Sequence, residues 1–476
     1  MVAVSAPSPP FCLELATQLL TTYGSPLYVY EGDRLRQTIR HITQSILYPQ
    51  TRFHFASVTN GNIALLQIFR ESGWGLHANT PGDIYLGLHA GFHPSQIIYS
   101  GSNLDRAEMA QVLRWGVTTL NLDSLAQLQL CGEVWRSLSE GSANKVEEED
   151  TAEAQRRREG LLAQNVLPLR IGLRLNFPAL TGKSRIGVHP DDFPTAVNMA
   201  RQAGLKISGL HFYKGTGTNA TTAFTEAIAI VLATASQLPD WTYLDFGGGF
   251  GYPYHHDGVT FDWHQFGAAL SDRLSQLDRP IDLVIEPGRA AIASCATLLT
   301  QVVSVKWQNS KQIVGVDTTV ANLSVPSVHG GYREIAAWQE GQKAEGRRQK
   351  AERRGQNAEG RGQKAEGRAD SESTFLFTPS PPHPLTPDSR LPTPDFLTNI
   401  CGNTTYSRDY LGKNCQLPAL KTGDILAILD VGAYGYAMSS HFLHRPRPAE
   451  VLLENKKHRL IRTRESYSTL IENQVF

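Results

Sequence analysis

Residues 243–251 read YLDFGGGFG and residues 282–289 read DLVIEPGR. Each is a short apolar run that stops on residues able to do chemistry. In the first, Gly247, Gly248 and Gly249 follow the run directly; backbone N–H groups with no Cβ in the way can converge on a phosphate. The spacing is not GxGxxG, so a dinucleotide site is disfavoured, and a tight structural turn is the plain alternative. In the second, Glu286 and Arg289 flank a Pro-Gly turn. A carboxylate there can hold a ring nitrogen protonated, and a guanidinium fork can take a carboxylate or phosphate; a buried ion pair is the plain alternative. Chemistry at the C-terminal ends of strands is the habit of parallel α/β barrels.

Similar runs precede these two: PLYVYE, TRFHFA, QIIYSG, TTLNLD, LRIGLRLN and ISGLHFYK. Helix-period stretches such as NIALLQIFRESG and AEMAQVLRWG lie between several of them. Strand-helix alternation over about 250 residues predicts a parallel sheet closed into a (β/α)8 TIM barrel. After residue 290 the pattern changes. TLLTQVVSVKW, QIVGVDTT, DILAILDVGAYG and AEVLLENKKHRLI carry strand signals without a long helix, which predicts a C-terminal antiparallel β-barrel-like domain. The expected division is a barrel at 30–290, a β domain from 1–29, 291–335 and 398–476, and an insertion at 336–397.

The insertion stands out by composition. Residues 341–368 repeat a seven-residue unit four times (GQKAEGR and variants) in which alanine is the only apolar member, so there is no coiled-coil seam. The proline-dense TPSPPHPLTPDSRLPTPD at 378–395 denies helix and central strand alike. This predicts a disordered linker. A smaller charged excursion, EEED followed by RRR, falls within 138–160.

The 476 residues include 45 Lys+Arg and 45 Asp+Glu, so no net field draws the chain to nucleic acid or a membrane surface. Five dispersed cysteines form no CxxC pair or metal-ligand cluster, and a bound metal is not expected. No run of about 18 apolar residues occurs, nor a basic leader before an apolar core. A cytoplasmic protein is expected.

Taken in order, SPLYVYEGDRLR at 25–36, NLDSL at 121–125, LRLN at 173–176, GGGFG, EPGR, the isolated Cys401, DVGAYG at 430–435 and RPRPAEV at 445–451 resemble the diaminopimelate, ornithine and arginine decarboxylases, which depend on pyridoxal phosphate (PLP) and share their barrel with alanine racemase. The diaminopimelate branch is the nearest. The resemblance implies an amino-acid carboxy-lyase, PLP as cofactor and a homodimer with shared sites. It also implies roles by position. Gly247, Gly248 and Gly249 would bind the cofactor phosphate, Glu286 would pair with the pyridine nitrogen, and Arg289 would serve phosphate or substrate carboxylate. Tyr434 would reach phosphate or ring, and Cys401 of the second subunit would return the proton after CO2 loss.

The pattern also breaks. The family's Schiff-base lysine stands in a Tyr-Ala-x-Lys-Ala-Asn segment; here that segment is Phe55, Ala56, Ser57, Val58, Thr59, Asn60, and no lysine precedes Lys145. Val58 takes the lysine's place and cannot form the covalent link. The family's His-x-Gly-Ser segment reads Tyr213, Lys214, Gly215, Thr216, where Tyr213 can still stack on a ring and Thr216 can still donate to phosphate. Lys214 adjoins Tyr213 on a strand and should point the other way. Two alternatives accompany the decarboxylase reading: a homologue that binds PLP or a partner protein without turnover, and a racemase.

Overall fold

The computed structural model describes residues 9–141, 169–215, 217–255, 257–338 and 395–475. The first strand, β1 (Leu27–Glu31), does not enter the barrel. Eight later strands do: β2 (Thr51–Ala56), β3 (Gly75–Ala78), β4 (Ile97–Tyr99), β5 (Thr119–Leu122), β6 (Arg170–Arg174), β7 (Ile207–His211), β8 (Tyr243–Asp245) and β9 (Asp282–Ile285). They run parallel in sequence order, and β9 returns to β2 through the Phe53↔Ile285 register to close the ring. Eight barrel strands match the expectation, with one exchange of members. PLYVYE pairs elsewhere, and GLHA at 75–78 takes its place.

Local chemistry explains the elements. In β2 three consecutive residues, Phe53, His54 and Phe55, are buried, as in a strand covered on both faces, and Phe55 stacks on Phe69 of the following helix at 3.8 Å between centroids. That helix, Ile63–Glu71, begins where the Asn62 side chain accepts from the Ala64 N–H. The helices Pro81–His89 and Arg106–Arg114 open with reciprocal capping boxes, Thr80 with Asp83 and Asp105 with Glu108. Inside the barrel, Gly172 and Gly209 leave room for the Tyr243 ring, into which a Cβ at either position would run. The Tyr243 hydroxyl donates to Asn121 Oδ1 at 2.9 Å.

The remaining strands form a nine-stranded sheet: β1, β10 (Ala296–Gln308), β11 (Lys311–Val316), β12 (Ile335–Ala337), β13 (Phe396–Cys401), β14 (Tyr410–Leu417), β15 (Ile425–Ile428), β16 (Ala449–Glu454) and β17 (Lys457–Arg462). It is mostly antiparallel, with two parallel pairings, β1 with β16 and β11 with β13. The N-terminal strand thus sits centrally between β10 and β16. Residues 335–337 and 396–401 are strand at the edges of the expected insertion, whose repeats and proline-rich part lie outside the described residues, as does most of the 138–160 stretch. Among the described residues no helix is long and apolar enough to cross a membrane.

Candidate active site

The C-terminal ends of the barrel strands open into a cavity of about 490 Å³. Ala56 and Val58 reach it from the end of β2, His77 from β3, Arg174 from β6, His211 and Tyr213 from β7, Gly248 and Gly249 from β8, and Glu286 and Arg289 from β9. Tyr434 enters from the sheet side.

Its floor is a buried titratable cluster. Glu286, 3% exposed, lies between two imidazoles: its Oε2 is 3.3 Å from His211 Nε2 and 3.5 Å from His77 Nε2. Burial, then the Arg174 charge, pushes His211 down to about 4, even though Asp245 pulls the other way. Burial pushes His77 well below the ordinary histidine range, with His211 and Arg174 adding to it. Both rings are therefore neutral at pH 7, and neither contact is an ion pair. Burial raises Glu286 to about 7 against the opposing pull of Asp245 and Arg174, and raises Asp245 well above its ordinary value, with Glu286 adding to it. Asp245 is committed to the fold: it accepts from the Gly247 N–H at 3.0 Å and from Asn121 at 2.7 Å. Glu286 Oε1 and both ring nitrogens of His77 are buried without a hydrogen-bond partner. His211, Asp245 and Glu286 bring ligand-type atoms within 4.8 Å of one another, close enough to hold a metal ion, although the Asp245 bonds to Gly247 and Asn121 compete for that carboxylate.

Also lining the cavity, Gly248 and Gly249 have N–H groups with no hydrogen-bond partner among the described residues. The Gly247 N–H is already given to Asp245, so the glycine run divides into one structural and two available donors. Arg289 stands beside them, 5.4 Å from the Tyr434 ring centroid, and Gly217 makes space for its guanidinium, which a Cβ there would meet at 2.7 Å. Tyr434 holds a left-handed φ of 58° and donates its N–H to Thr59 O at 2.9 Å. The loop carrying Val58 is thereby tied to the sheet. Asn60 adds bonds to Gly432 O and Tyr30, and Asn62 donates to Glu450 at 2.8 Å.

Of the residues expected from sequence, Tyr213, Gly248, Gly249, Glu286, Arg289 and Tyr434 line this one cavity. Thr216 lies outside the described residues. Cys401 ends β13, half-buried, and does not line the cavity of its own chain. Lys214 is also absent from the lining, but not by strand alternation: β7 stops at His211, so Tyr213 and Lys214 lie in the loop beyond it. Sequence reasoning missed His77, His211, Arg174 and Asp245. The signal that could have found them is position, since all four close or nearly close a barrel strand.

Residues 33–293 match the pyridoxal-binding domain of the pyridoxal-dependent decarboxylases, more than half of the chain, and residues 365–432 match the C-terminal sheet domain of the same group. The chain belongs to this family of PLP-dependent carboxy-lyases. Diaminopimelate decarboxylase of Methanothermobacter thermautotrophicus is 29% identical over 475 residues, covering 96% of this chain and 94% of that one. The Aquifex aeolicus diaminopimelate decarboxylase is 25% identical, covering 96% and 93%. Among solved structures, diaminopimelate decarboxylase from M. jannaschii in co-complex with L-lysine superposes with a TM-score of 0.75 at 20% identity, over 97% of this chain and 94% of that one.

The family's coenzyme is pyridoxal phosphate, and the cavity fits two of its three ends. The free carboxylate oxygen of Glu286 suits the ring nitrogen, and the Gly248 and Gly249 N–H groups with Arg289 suit the phosphate. The aldehyde end differs. None of the lining residues is a lysine, and Val58, 43% exposed, presents hydrocarbon to a polar cavity.

Proposed function

We propose that this decarboxylase-family chain acts on an amino acid or amino-acid derivative, as the diaminopimelate decarboxylases do, with pyridoxal phosphate held by noncovalent contacts alone. The observation that carries this is the unpartnered Glu286 Oε1 at the floor of a strand-end cavity rimmed by free glycine N–H groups and Arg289. When bound, the coenzyme supplies an electron sink for the charge left at the α-carbon as CO2 departs. Glu286 keeps a proton on the ring nitrogen; a cationic N–H beside it draws the carboxyl back to its ionised form, against the burial that raises it. Tyr213 offers a ring face. Gly247 to Gly249, Thr216, Arg289 and Tyr434 hold the phosphate end, with Gly247 acting through the turn it fixes. Cys401 of a second copy returns the proton to the α-carbon. Its thiol is raised by burial and by the Asp409 charge, so it stays protonated and can donate. This makes the working unit a homodimer. Five unpaired cysteines support a reducing, cytoplasmic setting. Sheet membership supports dividing the chain into a barrel at 30–290 and a β domain built from both sides of it, although β1 runs on to Glu31, two residues past that boundary.

The experiment is direct. With pyridoxal phosphate supplied, the purified chain is expected to shift the coenzyme's absorbance and to release CO2 from one of diaminopimelate, lysine, ornithine or arginine. Val58→Lys restores an anchoring amine and is expected to raise the rate by at least about tenfold, roughly 1.4 kcal/mol of barrier. No spectral change with either form would overturn the reading.

A further inference from the structure

The charge lining the cavity exceeds what one phosphate uses. Arg174, Arg185 and Arg289 all line it, against the single carboxylate Glu286. Arg289 and the two glycine N–H groups account for a phosphate. Arg174 and Arg185 remain, and neither guanidinium has an ion pair or hydrogen bond among the described residues; the one ring contact of the Arg174 guanidinium is the face of Tyr213 at 5.3 Å. Arg174 is half-buried, so water cannot fully satisfy it. Two uncommitted guanidiniums on the wall of one cavity match a carboxylate, the planar anion their forks bind best. At the aldehyde end Val58, with Ala56 and Thr59 beside it, offers no amine. A free aldehyde therefore gains no bond from this chain. A ligand that already carries an amino-acid carboxylate gains the two arginines.

We propose that this cavity captures, as one ligand, the conjugate of pyridoxal phosphate with an α-amino acid, its phosphate at Gly248, Gly249 and Arg289 and its carboxylate at Arg174 and Arg185. The conjugate forms before binding: the amino nitrogen attacks the aldehyde carbon, a C=N bond replaces C=O, and water leaves, with no redox change. Val58 then packs where a lysine would compete for that carbon. The inference rests on the pyridoxal-phosphate reading above.

The test is a titration of the purified full chain with three probes: pyridoxal phosphate, pyridoxamine phosphate, and a phosphopyridoxyl amino acid whose C=N bond has been reduced so that it cannot fall apart. The reduced conjugate is expected to bind at least about tenfold tighter than pyridoxamine phosphate, which shares its ring and phosphate but lacks the carboxylate. Arg185→Ala, at an exposed position that the fold does not depend on, should shrink that gap, as should Arg174→Met. Borohydride treatment of chain loaded with pyridoxal phosphate should leave every coenzyme molecule separable on denaturation, whereas Val58→Lys retains it. Equal affinity for the conjugate and pyridoxamine phosphate, a loss in Arg185→Ala that is the same for all three probes, or label retained on the native sequence would each overturn the inference and leave the coenzyme reading standing. Failure of all three probes to bind would overturn both.

Discussion

For single residues in the cavity, burial decides which of them carry charge. Glu286 is a carboxyl whose folded-state value, about 7, lies above its ordinary 4.5, and burial is the leading cause. The folded chain thus holds this proton more tightly than the unfolded chain does. Its contribution to stability is complete below about pH 4.5 and is lost as pH rises through about 7, a swing of roughly 3 kcal/mol at most. Glu286→Gln removes the ionisation. Without ligand, the variant is expected to melt above the native protein at pH 8 by a wider margin than at pH 5, read by thermal denaturation across that range. Equal margins at both pH values would mean that Glu286 is not the titrating group. His211 works in the opposite sense. Its folded value of about 4 lies below the ordinary 6.5, so the unfolded chain binds the extra proton and stability falls as pH drops from 6.5 through about 4. His211→Asn is expected to lose less melting temperature on acidification from pH 7 to pH 4.5 than the native chain does. Both substitutions act on the same floor, so their effects should not add.

Among the elements, the barrel interior and the loop carrying Val58 are the sensitive places. A methyl at Gly209 would run into the Tyr243 ring, and close-packed interiors have no slack to absorb it. Gly209→Ala is expected to cost about 1–3 kcal/mol in chemical denaturation, and a second change, Tyr243→Val, to recover part of it. Asn62 does two jobs, capping the helix Ile63–Glu71 and donating to the buried Glu450, which also accepts from Tyr30 at 2.6 Å and from Arg462. Asn62→Ala should cost about 2–4 kcal/mol and loosen the Val58 loop from the sheet, visible as faster amide exchange at residues 57–60. These couplings also show why the sequence was only partly legible. Strands such as DLVI ending on EPGR announce themselves because apolar run, turn and functional residue are contiguous. GLHA at 75–78 does not, since four residues without a β-branched side chain and with a histidine inside carry little strand signal. PLYVYE reads as a barrel strand by composition. What sends it to the other sheet is pairing with Leu298, Leu299 and Val451, residues more than 260 positions away. Glu286, Arg289 and the glycine run were found as motifs. His77, Arg174 and Asp245 were not, because each is a single inward position whose meaning depends on the neighbouring strand.

For the molecule as a whole, the source of the returning proton sets the working unit. Among residues lining the cavity the histidines are neutral and held low, and Glu286 is the residue proposed to engage the ring nitrogen, so the chain's own floor would be a poor proton donor. Cys401 has a thiol raised by burial and ends β13 outside that lining, so under the reading proposed above its thiol would serve the site of another copy. That arrangement has a consequence no single-chain scheme shares. Cys401→Ser spoils the donor its chain lends, and Glu286→Gln spoils the site its chain owns. Each variant alone should still form dimers and show little CO2 release. Mixed in equal amounts and allowed to exchange, half of the dimers contain one chain of each kind. With the thiol lent across the dimer, the site that keeps Glu286 in such a pair meets the partner's native Cys401, and the other site carries both lesions. One working site in half of the dimers restores about a quarter of the activity of the unsubstituted chain. Were every chain to use its own cysteine, each site of the mixed dimer would carry one lesion and the mixture would stay as inactive as its parts. The measurement is CO2 release against mixing ratio, run in the Val58→Lys background if the native rate is low. A maximum near equal proportions supports the shared site, and a flat line at the level of the separate variants removes the lent thiol from the reaction.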